Sequence, residues 1–336
     1  MQKKVYDVDI IGGGPAGMFA AFYAGLHDLD TQLIESLPQL GGQLGALYPE
    51  KKIWDVAGAP GITGKELIGH LKEQLKLVDV DYLLNASVTN VKKDMDGLFV
   101  VTTARGVSYA RSIIIALGNG AFSPRKLALP GAAEMEGQQV QYFVTHKADY
   151  AGKTVAVLGG GNSAVDMALM LAPVAKQVYL VHRRPQFRAL PKMVDQLKSS
   201  EVEIVTPYLP KAIHKVGQQA SLSLKRMRAD GERQLTVDRV LVDYGFTADH
   251  SALDKWDVHF DSERQMIKVD SEMTTSVPGI YAIGDGVTYP GKQPLIATAF
   301  GEGPIAINAL AKKLYPHKQM AMHSSSMHLD QQWNCR

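Results

Sequence analysis

Three glycines, Gly12, Gly14 and Gly17, have the G-x-G-x-x-G spacing of a turn that binds a dinucleotide. Gly12 permits a tight turn, Gly14 lets the backbone approach a pyrophosphate, and Gly17 allows a helix to pack closely against a strand. Pro15 and Ala16 lie where the helix should begin. The start of this helix directs free N–H groups at the phosphates. We therefore predict a pyrophosphate site in this turn, with an ordinary strand–turn–helix unit as the alternative.

A carboxylate follows at the position that such a site requires. Glu35 lies 18 positions after Gly17 and ends the predicted strand over 31–35. A carboxylate at the end of the second strand accepts hydrogen bonds from the hydroxyls of an adenosine ribose. The first site is therefore predicted to bind an adenine dinucleotide that carries no 2′-phosphate.

The same plan recurs after the predicted strand over 153–158, where residues 159–164 are GGGNSA. Here the position 18 residues beyond Ala164 is His182, which Arg183 and Arg184 follow, with Arg188 close in sequence. Guanidinium groups bind phosphate oxygens in bidentate fashion, whereas a carboxylate would repel them. We therefore predict that the second site prefers NADP(H) to NAD(H), with a solvated basic turn as the alternative. The predicted ligands are Gly159, Gly161, Asn162, Ser163, Ala164, His182, Arg183, Arg184 and Arg188.

The composition limits what else the chain can be. Its 336 residues suggest about two domains, and its net charge of +2 does not favour nucleic acid or an acidic membrane. Cys335 is the one cysteine, which excludes an internal dithiol. No apolar run reaches the length of a membrane span, and residues 1–7 do not resemble a signal peptide. We expect a cytoplasmic enzyme that binds neither nucleic acid nor membrane and holds no metal.

The two glycine motifs indicate an α/β chain with one domain inserted in another. Gly118 and Gly120 flank Asn119 and mark a candidate crossing from one domain to the other. Gly245 marks a candidate return crossing. Plain surface turns would have the same composition. We predict a discontinuous domain over 1–118 and 246–336 and an inserted domain over 119–245. Each should be a Rossmann-like, three-layer ββα domain.

Weaker patterns predict the elements around each motif. Thr63 and Glu66 have the spacing of a capping box that opens a helix ending near Val78. Alternation over 86–110, with turns at 96–97 and 105–106, predicts an antiparallel meander, and 112–117 a separate strand. A second meander is expected around the turn at 230–231.

One further carboxylate lies after a strand-like run. Residues 277–283 are apolar and end at Gly284 and Asp285. Asp285 is placed to accept hydrogen bonds from the polyol of a flavin, although a turn aspartate is the alternative. Residues 295–314 predict a helix that starts towards the flavin pyrimidine, where its N-terminus would stabilise negative charge.

Together these motifs resemble the two-domain flavoprotein reductases of the thioredoxin reductase type. Within that group the chain is similar to the thioredoxin-reductase-like ferredoxin–NADP(+) reductases. It lacks the C-x-x-C pair of thioredoxin reductases, since the equivalent residues 141–146 are QYFVTH. Residues 47–51, LYPEK, are similar to the segment whose tyrosine stacks on the flavin, and 323–326, HSSS, to a C-terminal extension whose ring covers the opposite face.

The resemblance implies a homodimeric enzyme with FAD and NADP(H) as cofactors. It implies hydride transfer from NADPH to N5 of FAD and release of single electrons to ferredoxin or flavodoxin. Tyr48 and His323 would stack on the flavin, and no residue is assigned as acid or base. The implied FAD ligands are Gly12, Gly14, Pro15, Ala16, Gly17, Glu35, Gln43, Tyr48 and Asp285.

Other functions remain compatible with the same motifs. An NADPH-dependent reductase of quinones, free flavins or oxygen would need the same two sites. A sensor that holds FAD and NADPH without turnover would also fit, whereas a disulfide reductase is disfavoured because Cys335 has no partner cysteine.

Overall fold

The computed structural model describes residues 3–118, 120–249 and 253–318, and the chain divides into two compact units. Unit 1 contains the described residues of Met1–Ala46, Lys52–Ala121 and Ala248–Arg336. Unit 2 contains Leu47–Lys51 and Phe122–Thr247. The chain therefore leaves unit 1 twice, at residues 47–51 and at residues 122–247, and returns to it each time.

The elements follow one another in two βα series. The chain begins with β1 (Tyr6–Ile11), α1 (Pro15–Leu26), β2 (Thr31–Ile34), α2 (Gly42–Leu47), β3 (Lys52–Ile53), β4 (Ile62–Thr63), α3 (Gly64–Leu75), β5 (Asp81–Leu83), β6 (Val88–Lys93), β7 (Phe99–Thr103) and β8 (Gly106–Ile115). It continues with β9 (Ala121–Pro124), β10 (Val140–Gln141), β11 (Thr154–Leu158), α4 (Asn162–Leu171), β12 (Gln177–Val181), α5 (Pro191–Lys198), β13 (Glu203–Val205), β14 (Tyr208–Val216), β15 (Gln219–Arg226), β16 (Glu232–Val237), β17 (Arg239–Val242) and β18 (Phe246–Asp249). It closes with β19 (Ser262–Glu263), β20 (Met266–Lys268), β21 (Ile280–Ala282), β22 (Val287–Thr288) and α6 (Ile296–Leu314).

The main sheet of unit 1 is parallel at its centre and antiparallel at one side. Its order is β5-β2-β1-β8-β7-β6, and β21 also pairs with β8. The second half of β8 pairs in parallel with β1 and β21, while its first half pairs antiparallel with β7. The separate strand predicted over 112–117 is therefore wrong: residues 112–115 complete one long strand that begins in the meander.

Apolar side chains cover both faces of this sheet. Val8 and Ile10 pack with helices α1, α3 and α6 in one cluster. Phe99, Ile113 and Trp256 belong to a second cluster, which includes residues of the meander. Because alternate residues of a strand point to opposite faces, the two clusters give unit 1 three layers.

Unit 2 repeats the plan with a second sheet. Its five parallel strands have the order β10-β17-β11-β12-β13, and β14, β15 and β16 form a separate antiparallel sheet. Leu158 and Val181 pack against the meander, whereas Val157 and Leu180 pack with α4. The predicted α/β class with two three-layer Rossmann-like units is confirmed.

The helix starts show which backbone groups remain available for ligands. Thr63 and Glu66 form the predicted capping box, so the first turn of α3 is satisfied by side chains. The helix ends at Leu75, slightly earlier than predicted. By contrast, Gly14 and Gly161 are the N-cap residues of α1 and α4, and no side chain in the described residues caps either start. These two helix N-termini therefore keep free N–H groups that can bind an anion.

In the described part of the chain, no helix is both long enough and apolar enough to cross a bilayer.

Candidate nucleotide-binding sites

The first glycine turn joins β1 to α1 and is closely packed on two sides. Gly12 has φ +115°, and a Cβ there would lie 2.4 Å from the carbonyl oxygen of Ala116. A Cβ on Gly17 would lie only 1.8 Å from the oxygen of Gly12. Folding itself requires glycine at both positions, as predicted from their roles in the turn and in helix packing.

The space around Gly14 shows whether a dinucleotide could fit this turn. Its φ of −74° suits any residue, and a Cβ would have its nearest neighbour, Gly42 Cα, at 4.0 Å. Packing within the described residues therefore does not demand glycine at position 14. The missing side chain leaves an open backbone surface at the start of α1, as a bound pyrophosphate needs. Pro15 and Ala16 form the first turn of the same helix.

The carboxylate of Glu35 lies against this turn. It follows β2, is 6% exposed, and its Oε2 accepts a hydrogen bond of 2.7 Å from the Gly13 N–H. Its Oε1 accepts from the Leu37 N–H at 2.8 Å and from the Ser36 hydroxyl at 3.0 Å. A carboxylate oxygen has two lone pairs, so Oε2, which accepts one hydrogen bond from the described residues, can accept a second one from a ribose hydroxyl.

The loop after β2 also returns to the glycine turn. The Gly41 N–H donates to the Gly13 oxygen at 2.8 Å. Gly42 has φ +53°, and a Cβ there would lie 2.9 Å from Gly14 Cα. Gln43 follows in α2 and is half-buried. The end of this loop forms the short helix α2 beside the predicted pyrophosphate site.

Asp285 reaches the same region from the other end of the chain. It lies in the 3₁₀ turn Gly284–Gly286 after β21. Gly284 has φ +82°, and a Cβ there would lie 3.3 Å from the Cβ of Ala16. Burial raises the pKa of the Asp285 carboxyl, an effect that Lys292 opposes and Glu302 adds to. The structure therefore brings together glycines, Glu35, the 41–43 loop and Asp285 within unit 1.

Glu302 also lies in this region, although no sequence motif predicted a role for it. Its carboxylate is 2% exposed, and Oε2 accepts a hydrogen bond of 2.7 Å from the Gly284 N–H. Oε1 accepts from the Tyr289 hydroxyl at 2.7 Å and pairs with Lys292. The available signal was an acidic residue within the apolar stretch of α6, in the sequence FGEGP.

The second glycine turn, between β11 and α4, also combines closely packed glycines with one open glycine. A Cβ on Gly159 would lie 2.4 Å from the oxygen of Asp243, and one on Gly160 would collide with the ring of His182. Gly161 has φ −92° and no described atom within 4 Å of a Cβ. Gly161 therefore leaves the surface at the start of α4 open, like its counterpart in unit 1.

The side chains after this turn fix the neighbouring loop. Asn162 Oδ1 accepts a hydrogen bond of 2.8 Å from the Leu190 N–H, and the Arg188 N–H donates to the Gly160 oxygen at 2.7 Å. Ser163 is half-buried in the first turn of α4, and Ala164 is fully buried. The loop that carries the arginines is thus tied directly to the glycine turn.

Three arginines in this loop are exposed. Arg183, Arg184 and Arg188 form no salt bridge with any carboxylate of the described residues. The ring of His182 stacks on Phe187 with a centroid distance of 5.6 Å. Burial lowers the pKa of His182, and the three arginines lower it further. The His182 ring therefore packs beneath the turn, while the guanidinium groups of the three arginines remain available for a phosphate.

Tyr48 lies in a segment that the structure assigns to unit 2. Its ring meets Phe143 edge-on at 6.2 Å, and burial raises its pKa. Lys51 pairs with Asp166 at 3.1 Å, and Glu50 accepts a hydrogen bond of 3.0 Å from the Lys147 N–H. The segment 47–51 is thus held by residues of α4 and of the 141–147 region. The other predicted stacking residue, His323, lies outside the described residues.

Comparisons with known proteins agree with this architecture. The family model of the pyridine nucleotide-disulphide oxidoreductases matches residues 6–303. A protein of Limosilactobacillus reuteri named ferredoxin–NADP reductase is 62% identical over 328 residues, which are 97% of this chain and 99% of that protein. A protein of the same name from Levilactobacillus brevis is 51% identical, with 97% and 99% covered.

Solved structures show the same fold. The thioredoxin reductase of T. acidophilum has a TM-score of 0.80 at 26% identity, with 93% of this chain and 99% of that chain covered. The thioredoxin reductase of Lactococcus lactis has a TM-score of 0.79 at 29% identity, with the same shares covered.

Proposed function

The chain belongs to the pyridine nucleotide-disulphide oxidoreductase family, and on that basis we propose that it works as an FAD-dependent ferredoxin–NADP(+) reductase. It is an oxidoreductase, and FAD and NADP(H) are its cofactors. The observation that carries the proposal is the 62% identity to a ferredoxin–NADP reductase over nearly the full length of both chains. The single cysteine supports it, because a disulfide relay needs a second thiol.

The proposed division of labour follows the charges of the two glycine turns. We assign FAD to the domain over 1–118 and 246–336, where Glu35 offers a carboxylate to the ribose. We assign NADP(H) to the domain over 119–245, where Arg183 and Arg184 offer guanidinium groups to a 2′-phosphate. The open backbones of Gly14 and Gly161 support a pyrophosphate at each helix start.

When bound, FAD supplies the redox chemistry, since a flavin accepts hydride from NADPH and releases electrons singly. The chain's own residues bind and orient the cofactors. In unit 1, Asp285, which lies in the turn after β21, is proposed to accept hydrogen bonds from the flavin polyol. Tyr48 and His323 are proposed to stack on the flavin, and Gln43 is proposed as a further FAD ligand.

The proposed electron carrier is ferredoxin, with flavodoxin as a second protein carrier of the same kind. A homodimer and a cytoplasmic location are also proposed, on the resemblance and on the composition respectively. Since ferredoxins are acidic, charge should accelerate their encounter with a basic docking surface.

Anaerobic reduction by NADPH, followed by a panel of acceptors, tests this function. We expect the flavin absorbance to bleach within seconds to minutes and to return faster with ferredoxin than with a quinone, free flavin or oxygen. Turnover with ferredoxin should slow as ionic strength rises, because salt screens charge steering. A flavin that does not bleach, or one that quinone or oxygen reoxidises faster, would contradict the proposal.

A further inference from the structure

We propose that Glu302 is a positioning residue for FAD, which fixes the Gly284 amide and, through it, the carboxylate of Asp285. The inference rests on the proposed function, since it concerns how unit 1 holds the flavin. Glu302 itself is enclosed, so it is not expected to contact the cofactor.

The contacts of Glu302 are divided between its two oxygens. Oε2 accepts only the Gly284 N–H among the described residues, at 2.7 Å. Oε1 accepts from Tyr289 and Lys292. Oε2 therefore holds the turn that carries Asp285, whereas Oε1 pairs with the charge of Lys292 and accepts from side chains only.

The stability of the fold does not by itself explain the buried ion pair between Lys292 and Glu302. The side chains of Lys292 and Glu302 are 9% and 2% exposed, and removing both charges from water costs several kcal/mol per ion. Packing alone would be served as well by apolar residues of similar volume. What an apolar residue could not supply at position 302 is an acceptor for the Gly284 N–H.

The Gly284 amide lies in a closely packed turn, where a small displacement would move Asp285. Gly284 adopts φ +82° and packs at the first turn of α1, because a Cβ there would lie 3.3 Å from the Cβ of Ala16. Asp285 is the next residue along the chain, so a shift of the Gly284 amide moves its carboxylate directly. Gly303 packs against Ala20 of α1, which fixes α6 and hence Glu302 relative to the glycine turn.

Two substitutions separate positioning from charge balance. Glu302→Gln cannot accept from Gly284 and from the Lys292–Tyr289 side at once, because its amide has one acceptor oxygen. It also leaves Lys292 buried without its counter-charge. The double variant, Glu302→Leu with Lys292→Met, removes both charges and offers the Gly284 N–H no acceptor. Lys292→Met alone keeps both Glu302 oxygens and the Gly284 bond.

The experiment measures FAD release from the full-length holoenzyme by the rise in flavin fluorescence on dilution. Thermal unfolding at saturating FAD is recorded for the same samples. We expect Glu302→Gln to speed release at least about tenfold, from the loss of a hydrogen bond to a charged acceptor. The double variant should recover most of the unfolding midpoint but still release FAD rapidly. Lys292→Met should lower the midpoint and leave release within about threefold of wild type.

The control is Glu272→Gln, an exposed carboxylate in the same unit, which should change neither quantity. If the double variant recovers release and midpoint together, Glu302 only balances Lys292 and the inference is overturned. An equally large effect of Lys292→Met alone overturns it too. Should Glu302→Gln not fold, the double variant carries the comparison. A wild-type protein that holds no FAD would instead contradict the proposed function.

Discussion

The Oε2 atom of Glu35 accepts a hydrogen bond of 2.7 Å from the backbone N–H of Gly13. This bond joins the end of the second strand to the glycine turn after the first strand. It places a buried carboxylate beside the backbone surface that Gly14 leaves open. One acidic side chain thus both holds the turn and offers an acceptor, Oε2, to a nucleotide.

Glu35→Gln should weaken FAD binding. The amide keeps the volume of the side chain and one acceptor oxygen, but it loses the charge that strengthens hydrogen bonds to ribose hydroxyls. We expect the dissociation constant of FAD to rise by about tenfold or more. Fluorescence titration of the FAD-stripped protein measures this. Glu232→Gln, at an exposed carboxylate of unit 2, serves as the control, and equal affinities of the two variants would refute the ribose assignment.

The glycines of the two turns should respond differently to alanine. Gly14→Ala and Gly161→Ala add a Cβ to open space, so both proteins should fold. The first should lose FAD, and the second should keep FAD but bind NADPH at least about tenfold more weakly. Gly17→Ala should fail to fold or lose FAD through instability, since its Cβ would meet the Gly12 oxygen at 1.8 Å. Bound-flavin absorbance and NADPH titration distinguish the three outcomes, and normal cofactor binding by both Gly14→Ala and Gly161→Ala would reject the pyrophosphate sites.

The sequence predicted both nucleotide units because their signals are local. A strand, a glycine turn, a helix and a charged residue at a fixed distance all lie within about thirty residues. It could not show that β8 runs unbroken from the meander into the parallel sheet, since that depends on pairing with β1, β7 and β21. The role of Glu302 could not be predicted either, because its hydrogen bond to Gly284 depends on how α6 packs beside the turn after β21. The packing of segment 47–51 in unit 2 likewise depends on Asp166 and Lys147.

Replacing both Arg183 and Arg184 by alanine should change the cofactor preference. Their guanidinium groups are exposed and form no salt bridge with the described carboxylates, so their loss should not harm folding. We expect the KM for NADPH to rise about tenfold to a hundredfold, from the loss of charge-assisted hydrogen bonds, with little change for NADH. Steady-state kinetics with both nucleotides measures the ratio. Lys215→Ala with Lys225→Ala, which removes two exposed charges of the same unit, should leave the ratio unchanged. An unchanged ratio in the arginine variant would end the 2′-phosphate assignment.

Asp9 should make the stability of the protein fall as pH rises towards neutrality. It lies at the centre of β1, is fully buried, and neither carboxylate oxygen has a hydrogen-bond partner among the described residues. Burial raises its pKa to about 7, and the Ser108 hydroxyl nearby opposes the rise. The unfolded chain ionises near pH 4, so between pH 4 and 7 the folded state retains a proton that the unfolded state has lost. Stability from this group is therefore complete below pH 4 and is lost as pH passes 7, with a slope of at most about 1.4 kcal/mol per pH unit.

Asp9→Asn removes this dependence while keeping the side-chain shape. Its holoenzyme should unfold at a higher temperature than wild type at pH 8, and the difference should shrink towards pH 5, where the carboxyl is neutral in the folded state. Unfolding midpoints at pH 5, 6, 7 and 8 at constant FAD measure the change. Asp96→Asn, at an exposed turn of the same unit, should follow the wild-type curve. If Asp9→Asn also follows the wild-type curve, then Asp9 is not protonated in the folded protein, and an unseen hydrogen-bond donor must instead satisfy its charge.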